Sequence, residues 1–182
     1  MRKLGAALGV EAMSLYHHFP SKGHVLDAVA ERLLLEIELP QQGDWRARLA
    51  ESARRYRGLA LAHPRAFVLL TTRRAATERT LAFYERLLGI SAEAGFDDVT
   101  IAHTFRLMGY YAGGAGLAEV ASRGTGEDAT PSPMERGPDA KRFPLLAAAA
   151  PHLRAGNLDA VFESGLALIM GALETLPRRR KD

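Results

Sequence analysis

The first twenty residues constrain the fold most tightly. Leu4, Leu8, Val10 and Leu15 are apolar, and glycine stands at Gly5 and Gly9. This spacing fits a helix-turn-helix, two short helices meeting at a steep angle. Gly5 is small enough for the second helix to cross closely over the first. Gly9 takes a turn conformation that costs any residue with a Cβ energy. The four apolar side chains fill the inside of the angle, which leaves Glu11, Ala12, Met13, Ser14, Tyr16 and His17 on the outside. A helix fits the major groove of double-stranded DNA, where its N-terminal residues reach base edges.

The same stretch, "LGVEAMSLYHHF", admits other readings. Adjacent histidines diverge by about 100° on a helix, and neither His17 nor His18 has a histidine four residues away. No metal site is expected. Tyr16 and His18 can also serve as packing for the next helix.

Beyond this motif nearly every segment carries apolar residues at spacings of three and four, and none alternates as a strand does. The expected class is all-α. Helices are predicted over 1–8, 11–17 and 22–38, with Ser21 as an N-cap. Pro40 to Gly43 breaks the pattern, and Asp44 caps a helix from Trp45 to Ala62. Pro64 opens a short helix through Leu70. Further helices are expected over 77–94, from Asp97 or Asp98 to Ser122, from Phe143 or Pro144 to Arg154, and from Asn157 or Leu158 to Leu176. The long connection 124–138, rich in Gly, Pro, Ser and Thr, is expected to be mobile. Residues 1–40 and 44–177 are the expected units.

A chain of 182 residues, 47% apolar and 25% charged, has the make-up of a soluble globular protein. It has no cysteine, hence no disulfide or thiolate site, in keeping with a reducing, cytoplasmic setting. No apolar run is long enough to span a membrane, and the N-terminus lacks a signal-peptide pattern. The net charge of +3 permits an anionic partner without requiring one. The basic run Arg178 to Lys181 reads as a solvated end.

The helix beginning near Asp98 carries four glycines, each costing about 1 kcal/mol relative to alanine. Gly109, Gly113 and Gly116 lie on one smooth face, suited to a closely approaching helix or a ligand. Ile101, Phe105, Met108, Ala112 and Ala115 read as core. The last helix has a broad apolar face, Leu158, Val161, Phe162, Gly165, Ile169, Ala172 and Leu176, wider than one surface can cover. Tyr56, Arg73, Tyr84, Glu85, His103, Phe105 and Tyr111 are candidates to surround an apolar small molecule.

"LGAALGVEAMSLYHHFPSKGHVLDAV", residues 4–29, resembles the DNA-binding domain of the TetR family of one-component repressors. Leu15-Tyr16, His18-Phe19 and Ser21-Lys22 carry that family's signature. The resemblance implies that Ser14, Tyr16 and Lys22 touch phosphates and that Ala12, Met13 and His17 face bases or sugars. Residues 45–176 are similar to the effector domain of tetracycline repressors, clearest in "LLTTRR", "GFDDVTIAHTFRLMGYY" and "FPLLAAAAPHLRAGNLDAVFESGLALIMGALETL". Thr72 and Arg73 match a Thr-Arg pair near the drug in that branch.

The resemblance also implies a homodimer built from the helices matching 98–122 and 157–176, through Gly109, Gly113, Gly116, Leu158, Phe162, Gly165, Ile169 and Ala172. Two departures stand out. Family members carry a helix before the one that starts here, which is expected to be missing. The His and Glu that help hold the drug's magnesium are matched by Leu69 and Ala118, neither of which can ligate a hard cation. No cofactor is expected.

An enzyme is not expected. The sequence has no Glu-x-x-His pair for a di-iron bundle, no Cys nucleophile and no Gly-rich phosphate loop after a strand. The expected function is a ligand-responsive repressor that binds a palindromic operator as a dimer and is released by an apolar or aromatic effector. The alternative is a helical small-molecule-binding dimer that has lost DNA binding.

Overall fold

The computed structural model describes residues 1–73, 76–124, 137–153 and 158–179. Among these residues all regular structure is helical, as the sequence predicts. The order is α1 (Arg2–Leu8), α2 (Ala12–His18), α3 (Lys22–Leu34), α4 (Trp45–Ala62), α5 (Val68–Thr72), α6 (Glu78–Glu93), α7 (Asp98–Gly124), α8 (Pro144–Ala149), a 3₁₀ turn (Ala150–His152) and α9 (Leu158–Glu174). Most of the expected loop 124–138, the break at Ala155-Gly156 and the tail residues Arg180 and Lys181 lie outside the described residues. None of the described helices is long and apolar enough to cross a membrane.

Side chains set the helix starts. Ser21 Oγ accepts from the His24 amide, Asp44 Oδ1 from Ala47 at 2.8 Å, and Thr77 Oγ1 from Thr80. Each satisfies an amide that the first helical turn cannot.

Three boundaries differ from expectation. α8 stops at Ala149 and passes into a 3₁₀ turn, short of the expected Arg154. α3 ends at Leu34, not at residue 38. Ile37 and Leu39 are buried beyond it in irregular chain, so the apolar spacing outlasts the helix. Pro64 starts a run of turns in which the Ala66 and Phe67 amides both bond the His63 carbonyl. The helix begins only at Val68.

The core has two centres. One packs Leu49 and Ala53 of α4 and Met108 and Ala112 of α7 against Phe162, Leu166, Met170 and Leu173 of α9, with Ile90 and Phe96. The other gathers Leu34, Ile37 and Leu39 with Leu59, Ala60, Phe67 and Phe83. Gly116 explains part of the glycine cost of α7: a Cβ there would stand 2.5 Å from the Phe67 ring and 3.1 Å from Ala60.

After α9 the chain folds back. The Arg178 guanidinium lies 3.9 Å from the centre of the Phe96 ring and 5.0 Å from that of Trp45. The Arg179 amide donates to the Gly95 carbonyl at 2.6 Å.

Arg54 of α4 donates twice to Glu163 of α9, both bonds at 2.8 Å. These bonds hold the Glu163 carboxyl below its ordinary value of 4.5. The folded state therefore takes up this proton less readily than the unfolded chain. The stabilisation is complete above the unfolded pKa and fades as pH falls through the lower, folded one. Urea melts should show Glu163→Gln less stable than wild type at pH 7, with the gap narrowing as the pH falls below 4.5. A gap unchanged at the lower pH would count against this ion pair.

Candidate DNA and effector sites

α1 ends on Gly9, whose φ of 68° is the left-handed conformation glycine adopts freely. The chain turns there, and Val10 donates to the Gly5 carbonyl at 3.0 Å. A Cβ on Gly5 would meet the Val10 oxygen at 2.7 Å and the Ala12 nitrogen at 3.2 Å. The close crossing expected of residue 5 is present.

Met13, Ser14, Tyr16 and His17 are exposed on α2, and Ala12 is half-buried against Gly5. Lys22 is exposed in the first turn of α3, directly after the Ser21 cap. The polar and aromatic face of α2 and this cation belong to successive helices joined by a three-residue turn. Among the described residues no group of three or more His, Cys, Asp or Glu gathers to hold a metal ion.

The candidate effector residues do not form one ring. Tyr56 packs edge-on against Phe67, ring centres 5.5 Å apart, and lies with Thr71 against Gly113. Tyr84 packs edge-on against Phe105 at 5.6 Å and against Phe83 at 5.8 Å. Leu87 touches both core centres. These groups place an aromatic lining between α4, α6 and α7, with half-buried Leu69 on α5 nearby in sequence.

Five candidates sit elsewhere. His103 is exposed, because α7 turns Thr104, Met108 and Ala112 inward and sends 103, 107 and 110 outward. Glu85 and Thr72 are exposed as well. Arg73 leaves its own unit, donating to Asp27 Oδ1 at 2.6 Å and to the Gly23 carbonyl at 3.2 Å, both on α3. Thr77 Oγ1 adds a bond to Glu31 at 2.8 Å, also on α3. Tyr111 stacks on Phe162 and donates to its carbonyl at 2.7 Å. Burial pushes the Tyr111 phenol above its ordinary value.

The candidate pairing residues need correction. Phe162 is only 2% exposed and belongs to its own protomer's core. Gly116 meets Phe67, Gly113 lies near Tyr56, and Gly165 lies against Tyr111, so these three also face inward. Leu158 and Ile169 are half-buried, the latter packed on the core. Gly109 and Ala172 are exposed. The outward stripe of α9 runs through Val161, Ser164, Leu168 and Gly171, and that of α7 through Leu107, Tyr110, Gly114 and Leu117.

Arg57 and Glu119 escape a reading by residue type, because charged side chains are seldom buried. Arg57 interrupts the inward stripe Leu49, Ala53, Ala60 on α4, and Glu119 interrupts Met108, Ala112, Gly116 on α7. A charge on each of two facing stripes is the signal, and the two side chains pair.

The profile of the family described as "Tetracyclin repressor-like, C-terminal domain" matches residues 39–176. The chain belongs to the TetR family. It is 34% identical to the class C tetracycline repressor protein of Escherichia coli, over all of this chain and 84% of that protein. A possible TetR family regulator from Streptomyces coelicolor superposes with a TM-score of 0.83 at 31% identity, covering 97% of this chain and 89% of the other. A TetR variant from Acinetobacter baumannii AYE, solved with minocycline, gives 0.73 at 26% identity, covering 98% and 86%. This TetR-family member is a ligand-responsive transcriptional repressor and not an enzyme.

Proposed function

We propose that this TetR-family chain represses transcription as a homodimer on a palindromic operator. Residues 1–40 bind DNA, and residues 44–177 bind an effector and the second copy. α2 enters the major groove with Ala12, Met13 and His17 toward bases. Ser14, Tyr16 and Lys22 hold phosphates. A flat apolar or aromatic effector enters among Tyr56, Tyr84, Phe105 and Gly113 and releases the DNA. Support for its class comes from the aromatic lining and from the relative solved with minocycline. Leu69 and Ala118 supply no ligand for a magnesium ion, so binding is expected to be magnesium-independent.

The observation that carries this reading is the tie from α5 to α3. Arg73 sits one residue beyond α5, whose Thr71 lies with Tyr56 against Gly113, and grips Asp27 five residues after Lys22. A shift of α5 therefore moves the helix that carries a phosphate contact. Fluorescence anisotropy with the DNA upstream of the gene tests it. Arg73→Ala should keep operator affinity within about threefold, which is under 1 kcal/mol, while the effector loses its power to release DNA. Full release by the effector in that variant would break the proposed route.

Lys22→Ala should weaken binding alike on all sequences and lower the salt dependence by about one counterion, because a phosphate contact carries no base information. A loss confined to one base-pair position would refute the assignment.

One observation favours the second reading, a dimer that does not bind DNA. Leu4, Leu8 and Val10, expected inside the angle of α1 and α2, are exposed. Failure to bind any upstream fragment, with effector binding intact, would favour it.

A further inference from the structure

The connection from α3 to α4 leaves a groove of about 870 Å³ against α4 and Arg86 of α6. Leu35, Ile37, Leu39 and Pro40 form its apolar wall, and Gln41 and Gln42 extend that wall toward α4. The wall is pinned in place. Arg55 donates to the Glu38 carbonyl, and Arg48 Nε donates to the Pro40 carbonyl at 3.1 Å. No residue of α5, α7 or α9 lines the groove, so it is separate from the aromatic lining between α4, α6 and α7 and from the outward stripes of α7 and α9.

Glu38, Glu51, Arg54, Arg55 and Arg86 also line the groove. Three of them are already paired. Glu51 takes Arg55 at 2.9 Å and Arg54 at 3.7 Å, and Arg54 holds Glu163 as well. Glu38 and Arg86 are left over. Both are exposed, and among the described residues neither has an opposite charge within 4.0 Å. A carboxylate and a guanidinium therefore face one groove without neutralising each other. A neutral apolar molecule would use neither group, and a simple anion on Arg86 would leave Glu38 unanswered. A ligand with a charge of each sign answers both.

We propose that this groove binds a short apolar peptide with free ends. The peptide carboxylate pairs with Arg86, whose planar fork matches its geometry, and the peptide ammonium pairs with Glu38. Apolar side chains lie on half-buried Leu35 and Pro40. Gln41 Nε2 is held by the Leu39 carbonyl at 3.0 Å, which leaves the Gln41 side-chain oxygen to accept from a peptide N–H. The volume falls within the usual range for ligand cavities.

Trileucine is the probe, compared with its N-acetyl form, which lacks the ammonium, and its C-amide form, which lacks the carboxylate. Each is titrated into the full chain while the methyl signals are followed by NMR. Saturable shifts are expected at Leu35, Leu39 and Ala47. An ion pair at an exposed site is worth up to about fivefold in affinity, so each capped form should bind about two- to fivefold more weakly than trileucine. Arg86→Met should weaken trileucine by a similar factor and erase the penalty of amidation. Glu38→Gln should do the same for acetylation. Both side chains are exposed, so both variants should keep the wild-type thermal melt.

Equal affinity for the three peptides would overturn the proposal, as would capping penalties that persist in both variants. So would shifts at Leu69 and Leu70 with none at Leu35 and Leu39, which would put the probe near α5, or no shifts at all. The titration needs no operator, so its outcome stands apart from that of the repressor reading.

Discussion

Gly5→Val abolishes the proposed operator binding while the helical bundle stays folded: this is the expected result of filling the crossing of α1 and α2. The atoms that a Cβ would strike are the Val10 oxygen and the Ala12 nitrogen, which belong to the turn itself and to the start of α2. Side chains can rotate away from an intruder, but this backbone cannot move without reopening the angle between the helices. Overpacking costs about 1–3 kcal/mol even where neighbours yield. The upper end of that range corresponds to about a 100-fold loss of the ordered motif. α1 and α2 have seven residues each, too short to persist without each other. Anisotropy should show the loss, and a thermal melt followed by the bundle's signal should not change. Retained operator affinity within about threefold would show that the crossing is looser than its geometry implies.

Leu168→Asp is expected to split the proposed dimer and, with it, the proposed operator binding. Leu168 is 75% exposed on the outward stripe of α9, so its own protomer loses little packing. In a twofold interface the change occurs twice. Each buried Leu contributes about 1.5–3 kcal/mol, and the introduced carboxylates add a desolvation cost. Together these weaken pairing by at least about 100-fold. Light scattering at micromolar concentration should give a monomer with an unchanged melting temperature. The contrasting change, Phe162→Asp, should unfold the chain, because that ring lies stacked on Tyr111 inside the core. A dimeric Leu168→Asp protein would mean that the second copy docks elsewhere.

These two positions on one helix show what the sequence can and cannot specify. The turn between α1 and α2 was legible because its constraint is local: a glycine at the crossing and a glycine at the turn. The apolar set was not, since Leu4, Leu8 and Val10, expected inside the angle, are exposed. The starts of α3 and α4 were legible because a cap acts within its own first turn. The outward face of α9 was not. That helix is apolar around most of its circumference, so periodicity cannot separate Phe162, which faces inward, from Leu168, which faces out. α3 was read too long because burial of Ile37 and Leu39 continues after the helix has stopped. His103 and Arg73 were drawn toward the effector by residue type, whereas α7's rotation and α3's carboxylate decide where they point. Arg57 and Glu119 needed two helices considered together, since each alone looks like a surface charge.

The returning chain end has a practical side. Trp45 is the sole tryptophan, and its ring neighbours are Phe96 and the Arg178 guanidinium. A cation above an indole perturbs its excited state, so the emission reports whether the last residues after α9 remain seated on the bundle. It says little about α1 and α2, which contain no tryptophan. A denaturation curve read by this fluorophore will therefore describe the core around Trp45 and Phe96. Loss of the N-terminal helices will surface only as a mismatch with far-ultraviolet dichroism, and that mismatch is an inexpensive gauge of how independently the two ends of the chain melt.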